Sequence, residues 1–235
     1  MVRQAILRLK QGAAERAVEF CESGMVVGLG HGSTAIFAVR RIAELLKAGT
    51  VKNIRGIPCS AQVEAEARQL GIPLTTLEEH PTIDVTIDGA DEVDSNLDLI
   101  KGAGGALLQE KIVAQASRRE IIVVDESKLS SALGTHRALP IEVVPFGWHT
   151  QKIYLESLGA RVSVRTNSDG TFFKTDQGNL IIDCTFGPIE QPALLGATLS
   201  ERAGIVEHGL FLGLATDVIC AGPEGVRHLK RHQQQ

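Results

Sequence analysis

Residues 83–124 read IDVTIDGADEVDSNLDLIKGAGGALLQEKIVAQASRREIIVV, and this stretch decides the fold. Ile83–Ile87 and Ile121–Val124 are short apolar runs that read as strands, and Ala106–Ser117 between them reads as a helix. Asp88 and Asp91 flank Gly89-Ala90 directly after the first run, with Glu92 next. Lys101 then opens the glycine-rich turn Gly102-Ala103-Gly104-Gly105, and Glu110-Lys111 lie in the helix. Open α/β sheets collect their ligands outside the carboxyl ends of strands. The parts of an acid–base site, and backbone donors for an anion, therefore fall in one βα unit.

The same alternation runs outward in both directions. Arg3–Glu22 reads as an amphipathic helix with Ala14, Ala17, Val18 and Cys21 on one face. Met25–Leu29, a helix from Ser33 or Thr34 as N-cap to Lys47, the strand Ile54–Ile57 and the helix Ala61–Leu70 follow. Apolar strands alternating with helices predict a mostly parallel sheet covered on both faces, an α/β fold of Rossmann-like type. After Lys128 the rhythm changes. Pro140–Val144, Trp148–Leu158, Arg161–Arg165, Leu180–Thr185, Pro192–Arg202 and Ile205–His208 approximate βαββαβ, a ferredoxin-like α+β arrangement. Leu210–Cys220 is expected to return to the first sheet, and His228–Gln235 to be a frayed polar tail.

Composition limits the function. The chain has 235 residues, 43% hydrophobic and 22% charged, enough for one large or two small domains. A net charge of -4 and 4% aromatics argue against nucleic acid as a partner. No apolar run approaches the ~18 residues of a membrane span, and no secretory pattern opens the chain, so neither membrane nor export is expected. Cys21, Cys59, Cys184 and Cys220 form no CxxC pair, and the seven histidines no HxH or HExxH. The expectation is four reduced thiols, no metal and a cytoplasmic protein.

Each motif has a plain reading beside its chemical one. Gly28-Leu29-Gly30-His31-Gly32-Ser33-Thr34 suits a phosphate at a helix start, or is a tight turn. Position 33 is Ser where a dinucleotide fold wants a third glycine, Thr50–Ile57 holds no carboxylate, and no GK[ST] occurs, so a small phosphorylated ligand fits better. Asp88 and Asp91 are acid–base candidates, Asx-turn residues, or with Asp94 and Asp98 a cation site. Lys101 is an oxyanion donor or a surface lysine, and Glu110 a base or a solvated helical charge beside Lys111. Lys128, in Asp125-Glu126-Ser127-Lys128, is another lysine at a strand end.

Taken together and in order, these blocks resemble the ribose-5-phosphate isomerase A family, as do Gly209-Leu210-Phe211 and the closing Gly222–Val226 segment. The resemblance covers essentially the whole chain. It implies a Rossmann-like domain, residues 1–131 plus 209–235, with a smaller α+β domain, 132–208, inserted. It implies interconversion of D-ribose 5-phosphate and D-ribulose 5-phosphate through a cis-enediol, without metal or organic cofactor, by a homodimer or homotetramer. The family pattern gives Glu110 the proton transfer, Asp88 ring opening, Asp91 the hydroxyls and Lys101 the developing charge. Around the sugar phosphate it places His31, Gly32, Ser33, Thr34, Asp88, Gly89, Ala90, Asp91, Lys101, Gly102, Ala103, Gly104 and Lys128. Two positions depart from it: His31 stands for a usual Thr, and Ala103 for a glycine. The alternatives are a non-catalytic sugar-phosphate sensor on the same fold, and a CoA-transferase or sugar-phosphate deaminase relative.

Overall fold

The computed structural model describes residues 2–231. In chain order its elements are α1 (Val2–Val18), β1 (Val26–Leu29), α2 (Ala35–Lys47), β2 (Arg55–Pro58), α3 (Ala61–Gln69), β3 (Val85–Asp88), β4 (Glu92–Val93), β5 (Leu99–Ile100), α4 (Leu107–Ala116) and β6 (Glu120–Asp125). A 3-10 turn, Glu126–Lys128, follows. The chain continues with β7 (Leu139–Val143), α5 (Trp148–Ser157), β8 (Arg161–Val164), β9 (Leu180–Thr185), α6 (Pro192–Ser200), β10 (Ile205–His208), β11 (Leu210–Phe211), β12 (Asp217–Gly222) and β13 (Gly225–Lys230). Two compact units result: Met1–Ala90 with Gln109–Leu129 and Gly213–Gln235, and Asp91–Leu108 with Ser130–Leu212.

The first unit is a six-stranded sheet in the order β13-β12-β6-β3-β1-β2, parallel except for β13. Every residue of β1, β3, β6 and β12 is buried, as strands covered on both faces require. Ala14, Ala17, Val18 and Cys21 all enter this core, as their helical spacing predicts. Burial pushes the Cys21 thiol up to about 12, which keeps it protonated and inert. The chain passes from β1 outward to β2, then returns to place β3 on the other side of β1. The carboxyl ends of β1 and β3 therefore flank a topological switch point, where such sheets bind ligands.

The second unit holds an antiparallel sheet in the order β10-β7-β9-β8. With α5 and α6 this is the ferredoxin-like connectivity that the βαββαβ reading predicts. It also holds a three-stranded sheet, β11-β5-β4, that the sequence reading lacks. These strands of two residues each are too short to show any periodicity.

Several boundaries differ from expectation. Residues 91–108 and 209–212 group with the second unit, because β5 pairs with both β4 and β11 and the Lys101 amide donates to the Gly209 carbonyl (2.9 Å). Leu210–Cys220 splits accordingly: Leu210–Phe211 pairs with β5, and only β12 joins the parallel sheet. Residues 228–230 are strand rather than tail, since β13 forms an antiparallel edge on β12; 232–235 lie outside the described residues. Thr34 has helical dihedrals and makes no side-chain cap bond, while Ser33 Oγ accepts from Lys10 Nζ (2.8 Å). The N-cap expected at Ser33 or Thr34 is therefore not formed. Among the described residues no helix is long and apolar enough to cross a membrane.

Candidate active site

Parallel pairing of β1 with β3 brings Leu29 opposite Ile87, so the chain leaves both strands side by side. Gly30 then passes against Asp88. Its amide donates to the Ile87 carbonyl (3.0 Å), and a Cβ there would strike Asp88 Cα, Asp88 Oδ1 and the Ile87 carbonyl. The glycine is required by this close approach. Asp88 is 1% exposed, and its Oδ1 accepts from the amides of His31 (2.9 Å) and Gly89 (2.7 Å). Charge-assisted bonds of this kind fix a carboxylate's direction as well as its place.

Glu110 sits in the first turn of α4 and is only 4% exposed, contrary to the solvated helical charge that spacing alone allows. Lys111 beside it is also buried, at 6%. One oxygen of Glu110, one of Asp88 and the Cys59 thiol all lie within 4.8 Å of one another. Among the described residues of the first unit, this donor set could hold a small thiophilic cation. Cys59 follows β2, and its amide donates to the Leu29 carbonyl (3.1 Å). Its neighbour Ser60 caps α3, accepting from the Val63 amide (3.2 Å). The His31 ring turns to this serine, Nδ1 to Oγ at 2.9 Å. Cys59 and Ser60 are absent from the sequence-derived site; their signal was position alone, at the carboxyl end of a strand next to β1.

The remaining expected residues are distributed as follows. Gly32 has φ +120 and is exposed with Ser33, whereas Thr34 is buried. Gly89 and Ala90 end the first segment of the first unit. Lys128 closes the 3-10 turn whose N-cap, Asp125, accepts from the Ser127 amide (3.1 Å). A separate groove of the first unit, about 900 Å³, is lined by Ile57, Leu74, Leu77 and Ile112 among others; Asp88, Glu110 and Cys59 do not line it.

Asp91, Lys101, Gly102, Ala103 and Gly104 belong to the second unit. Lys101 is 2% exposed, so the surface-lysine reading fails, and its ammonium lies 5.5 Å from the centroid of the Phe211 ring. Asp91 Oδ2 accepts from the Ala103 amide (2.9 Å). Gly102 (φ +102) and Gly105 (φ +84) take left-handed backbone that favours glycine. Ala103 does not, so alanine is accommodated there without strain. Glu92 is fully buried and accepts from the amides of Gly134, His136 and Arg137 at 3.0–3.2 Å, which makes it a loop anchor. Asp94 accepts from the Asn96 and Asp98 amides (both 2.9 Å), a local Asx-type turn.

Comparison with known proteins accords with this geometry. Residues 55–225 match the model of the family described as ribose 5-phosphate isomerase A (phosphoriboisomerase A). The chain is 60% identical to ribose-5-phosphate isomerase A of Desulfatibacillum aliphaticivorans, over 94% of this chain and 96% of that one. It is 60% identical to the same enzyme of Chloroflexus aurantiacus, over 94% and 92%. A solved structure of D-ribose-5-phosphate isomerase in complex with phospho-erythronic acid superposes with a TM-score of 0.94 at 39% identity, covering 96% of this chain and 99% of that one. A sheet with its switch point between β1 and β3, an inserted α+β unit and sequence identity of this extent have one reading: the chain belongs to the ribose-5-phosphate isomerase A family.

Proposed function

We propose that this chain is an aldose–ketose isomerase that interconverts D-ribose 5-phosphate and D-ribulose 5-phosphate, a reaction of pentose phosphate metabolism. The observation that carries this reading is the pair of buried carboxylates, Asp88 and Glu110, gathered at the switch point of a chain so closely related to known isomerases. In the open-chain aldose, Glu110 removes the proton from C2. The electron pair forms the C1–C2 double bond, and the C1 carbonyl oxygen takes the negative charge. The O2 hydroxyl passes its proton to O1, which moves the charge of the cis-enediolate to O2, and Glu110 then returns its proton to C1 as the ketone forms at C2. A positioned carboxylate suits a transfer between adjacent carbons.

The other roles follow from chemistry and the family pattern. Asp88 takes the anomeric hydroxyl proton and passes it to the ring oxygen O4 as the C1–O4 bond breaks and the C1 carbonyl forms; its held Oδ1 is consistent with a fixed orientation. Lys101 and the amides of Gly102–Gly104 stabilise the enediolate oxygens. Asp91 binds sugar hydroxyls. His31, Gly32, Ser33, Thr34, Gly89, Ala90, Ala103 and Lys128 line the substrate, with Lys128 contributing charge near the phosphate. Burial of Glu110 favours the enzyme over a sensor, because binding alone calls for no proton acceptor. Four buried cysteines outside any disulfide accord with a reducing cytoplasm. Phe146 (91% exposed), Ile153 (67%) and Leu194 (61%) of the second unit accord with a homodimer or homotetramer. The direct test is ketose formation from D-ribose 5-phosphate by purified protein with EDTA present. Turnover supports the reading; ribose 5-phosphate binding without turnover favours the sensor.

A further inference from the structure

Arg165 lies directly after β8, far in sequence from the motifs above. Its Nη1 donates to the carbonyls of both Gly102 (2.9 Å) and Ala103 (3.0 Å). Its Nε and Nη2 donate to the two carboxylate oxygens of Asp183 (2.9 and 2.5 Å), a bidentate pair that locks the guanidinium plane. The side chain is 16% exposed. Phe173 stands 5.8 Å from the guanidinium, and its ring fills the space that a Cβ at Gly105 would need.

The consequence is geometric. In a trans peptide the C=O and the following N–H point in opposite directions, and the described residues contain no cis bond. With the Gly102 and Ala103 carbonyls both drawn to one nitrogen of Arg165, the amides of Ala103 and Gly104 both point away from it. The Ala103 amide meets Asp91 there (2.9 Å). The Gly104 amide is thereby aimed to the same side. The cation also polarises both peptides, which makes their N–H groups better donors.

We infer that Arg165, held by Asp183, is a positioning residue that orients the Gly104 amide toward the charge developing on the enediolate, while Asp91 takes the Ala103 amide. The inference rests on the isomerase reading above and extends it to the α+β unit. Because preorganised donors act more on the transition state than on bound substrate, removing Arg165 changes kcat more than KM.

The experiment compares wild type, Arg165→Gln, Arg165→Lys and Asp183→Asn. It measures kcat, KM for ribose 5-phosphate, thermal stability and affinity for phospho-erythronic acid, whose carboxylate imitates the charge on the enediolate oxygens. Arg165→Gln is expected to lose about 10- to 100-fold in kcat with little change in KM, and to lose analogue affinity in step with kcat/KM. Arg165→Lys, which keeps a cation for the two carbonyls, recovers part of both, and Asp183→Asn falls between. If Arg165→Gln does not fold, Arg165→Lys and Asp183→Asn carry the same comparison. Lower stability with wild-type kcat per folded site and wild-type analogue affinity overturns the inference. A wild type that binds ribose 5-phosphate without turnover overturns instead the isomerase reading.

Discussion

Gly30 and Asp88 touch so closely that no side chain fits between them: a Cβ on Gly30 would collide with both the Cα and Oδ1 of Asp88. The contact joins the ends of β1 and β3 and sets where the Asp88 carboxylate stands. Gly30→Ala must therefore displace backbone rather than a flexible side-chain tip. It is expected to cost about 1–3 kcal/mol or more of stability and to lower kcat at temperatures where the variant is still folded. Thermal unfolding and steady-state kinetics check both effects; a variant with wild-type Tm and kcat would show that the sheet end yields without consequence.

Asp217 on β12 predicts an acid limit to stability. Its carboxylate accepts from Arg119 Nε and Nη2 (both 2.8 Å), Thr216 Oγ1 (2.7 Å) and His228 Nε2 (2.6 Å). Burial pushes this carboxyl up, but the bonds from Arg119, Thr216 and His228 together outweigh it and hold it well below the ordinary 3.8. A lowered folded-state value stabilises the fold above the unfolded-state pKa and loses that contribution as pH falls through the folded one. Asp217→Asn is thus destabilised at pH 7, and its gap from wild type begins to narrow below about pH 4. Denaturant unfolding from pH 3 to 7 tests this; a gap constant with pH contradicts it.

Glu142 works in the opposite sense. Burial raises its carboxyl, against the donors Asn179 and Thr175, and its Oε2 is buried without a hydrogen-bond partner. A raised folded-state value gives a contribution that is full below the unfolded pKa and lost as pH rises through the folded one. Glu142→Gln should therefore gain on wild type as pH rises from 4 toward 7. A difference that is flat with pH would contradict that.

The family resemblance leads one to expect threonine at position 31; the residue there is His31, whose ring is engaged with Ser60, the cap of α3. His31→Thr is expected to lower KM for ribose 5-phosphate, since a small hydroxyl replaces a bulky ring that is turned to Ser60. An identical KM in variant and wild type across pH 6–8 would remove any role for the histidine.

Cys59 gives the candidate site a sensitivity that carboxylates alone lack. Cadmium, which prefers thiolate, is expected to inhibit ribose 5-phosphate isomerisation, with recovery on adding EDTA. Cys59→Ser should be much less sensitive. Equal inhibition of both proteins would place the metal elsewhere.

Most of the architecture was legible because buried strands and amphipathic helices leave periodic traces. Ile121–Val124 and Ala14, Ala17, Val18 and Cys21 are buried as their patterns require. What escaped was nonlocal or too short. The pairs Glu92–Val93, Leu99–Ile100 and Leu210–Phe211 carry no period, yet their pairing moves 91–108 into the second unit. Arg165 sits 62 residues from Ala103, and nothing local in Val162–Arg165 announces the contact. Burial of Glu110 and Lys101 was equally hidden, since composition and spacing favour exposure for both. For those two residues the family resemblance, rather than the pattern, pointed to the site.

The central claim is that Glu110 moves the proton between C2 and C1. The most direct measurement is isomerisation of ribose 5-phosphate in D2O by wild type and Glu110→Gln, with phospho-erythronic acid binding measured on both. The account predicts deuterium in the product of the wild type. In the variant it predicts retained analogue binding with kcat lower by about 10²–10⁴-fold. Turnover within a few-fold of wild type in Glu110→Gln would contradict it and assign the proton transfer to another group.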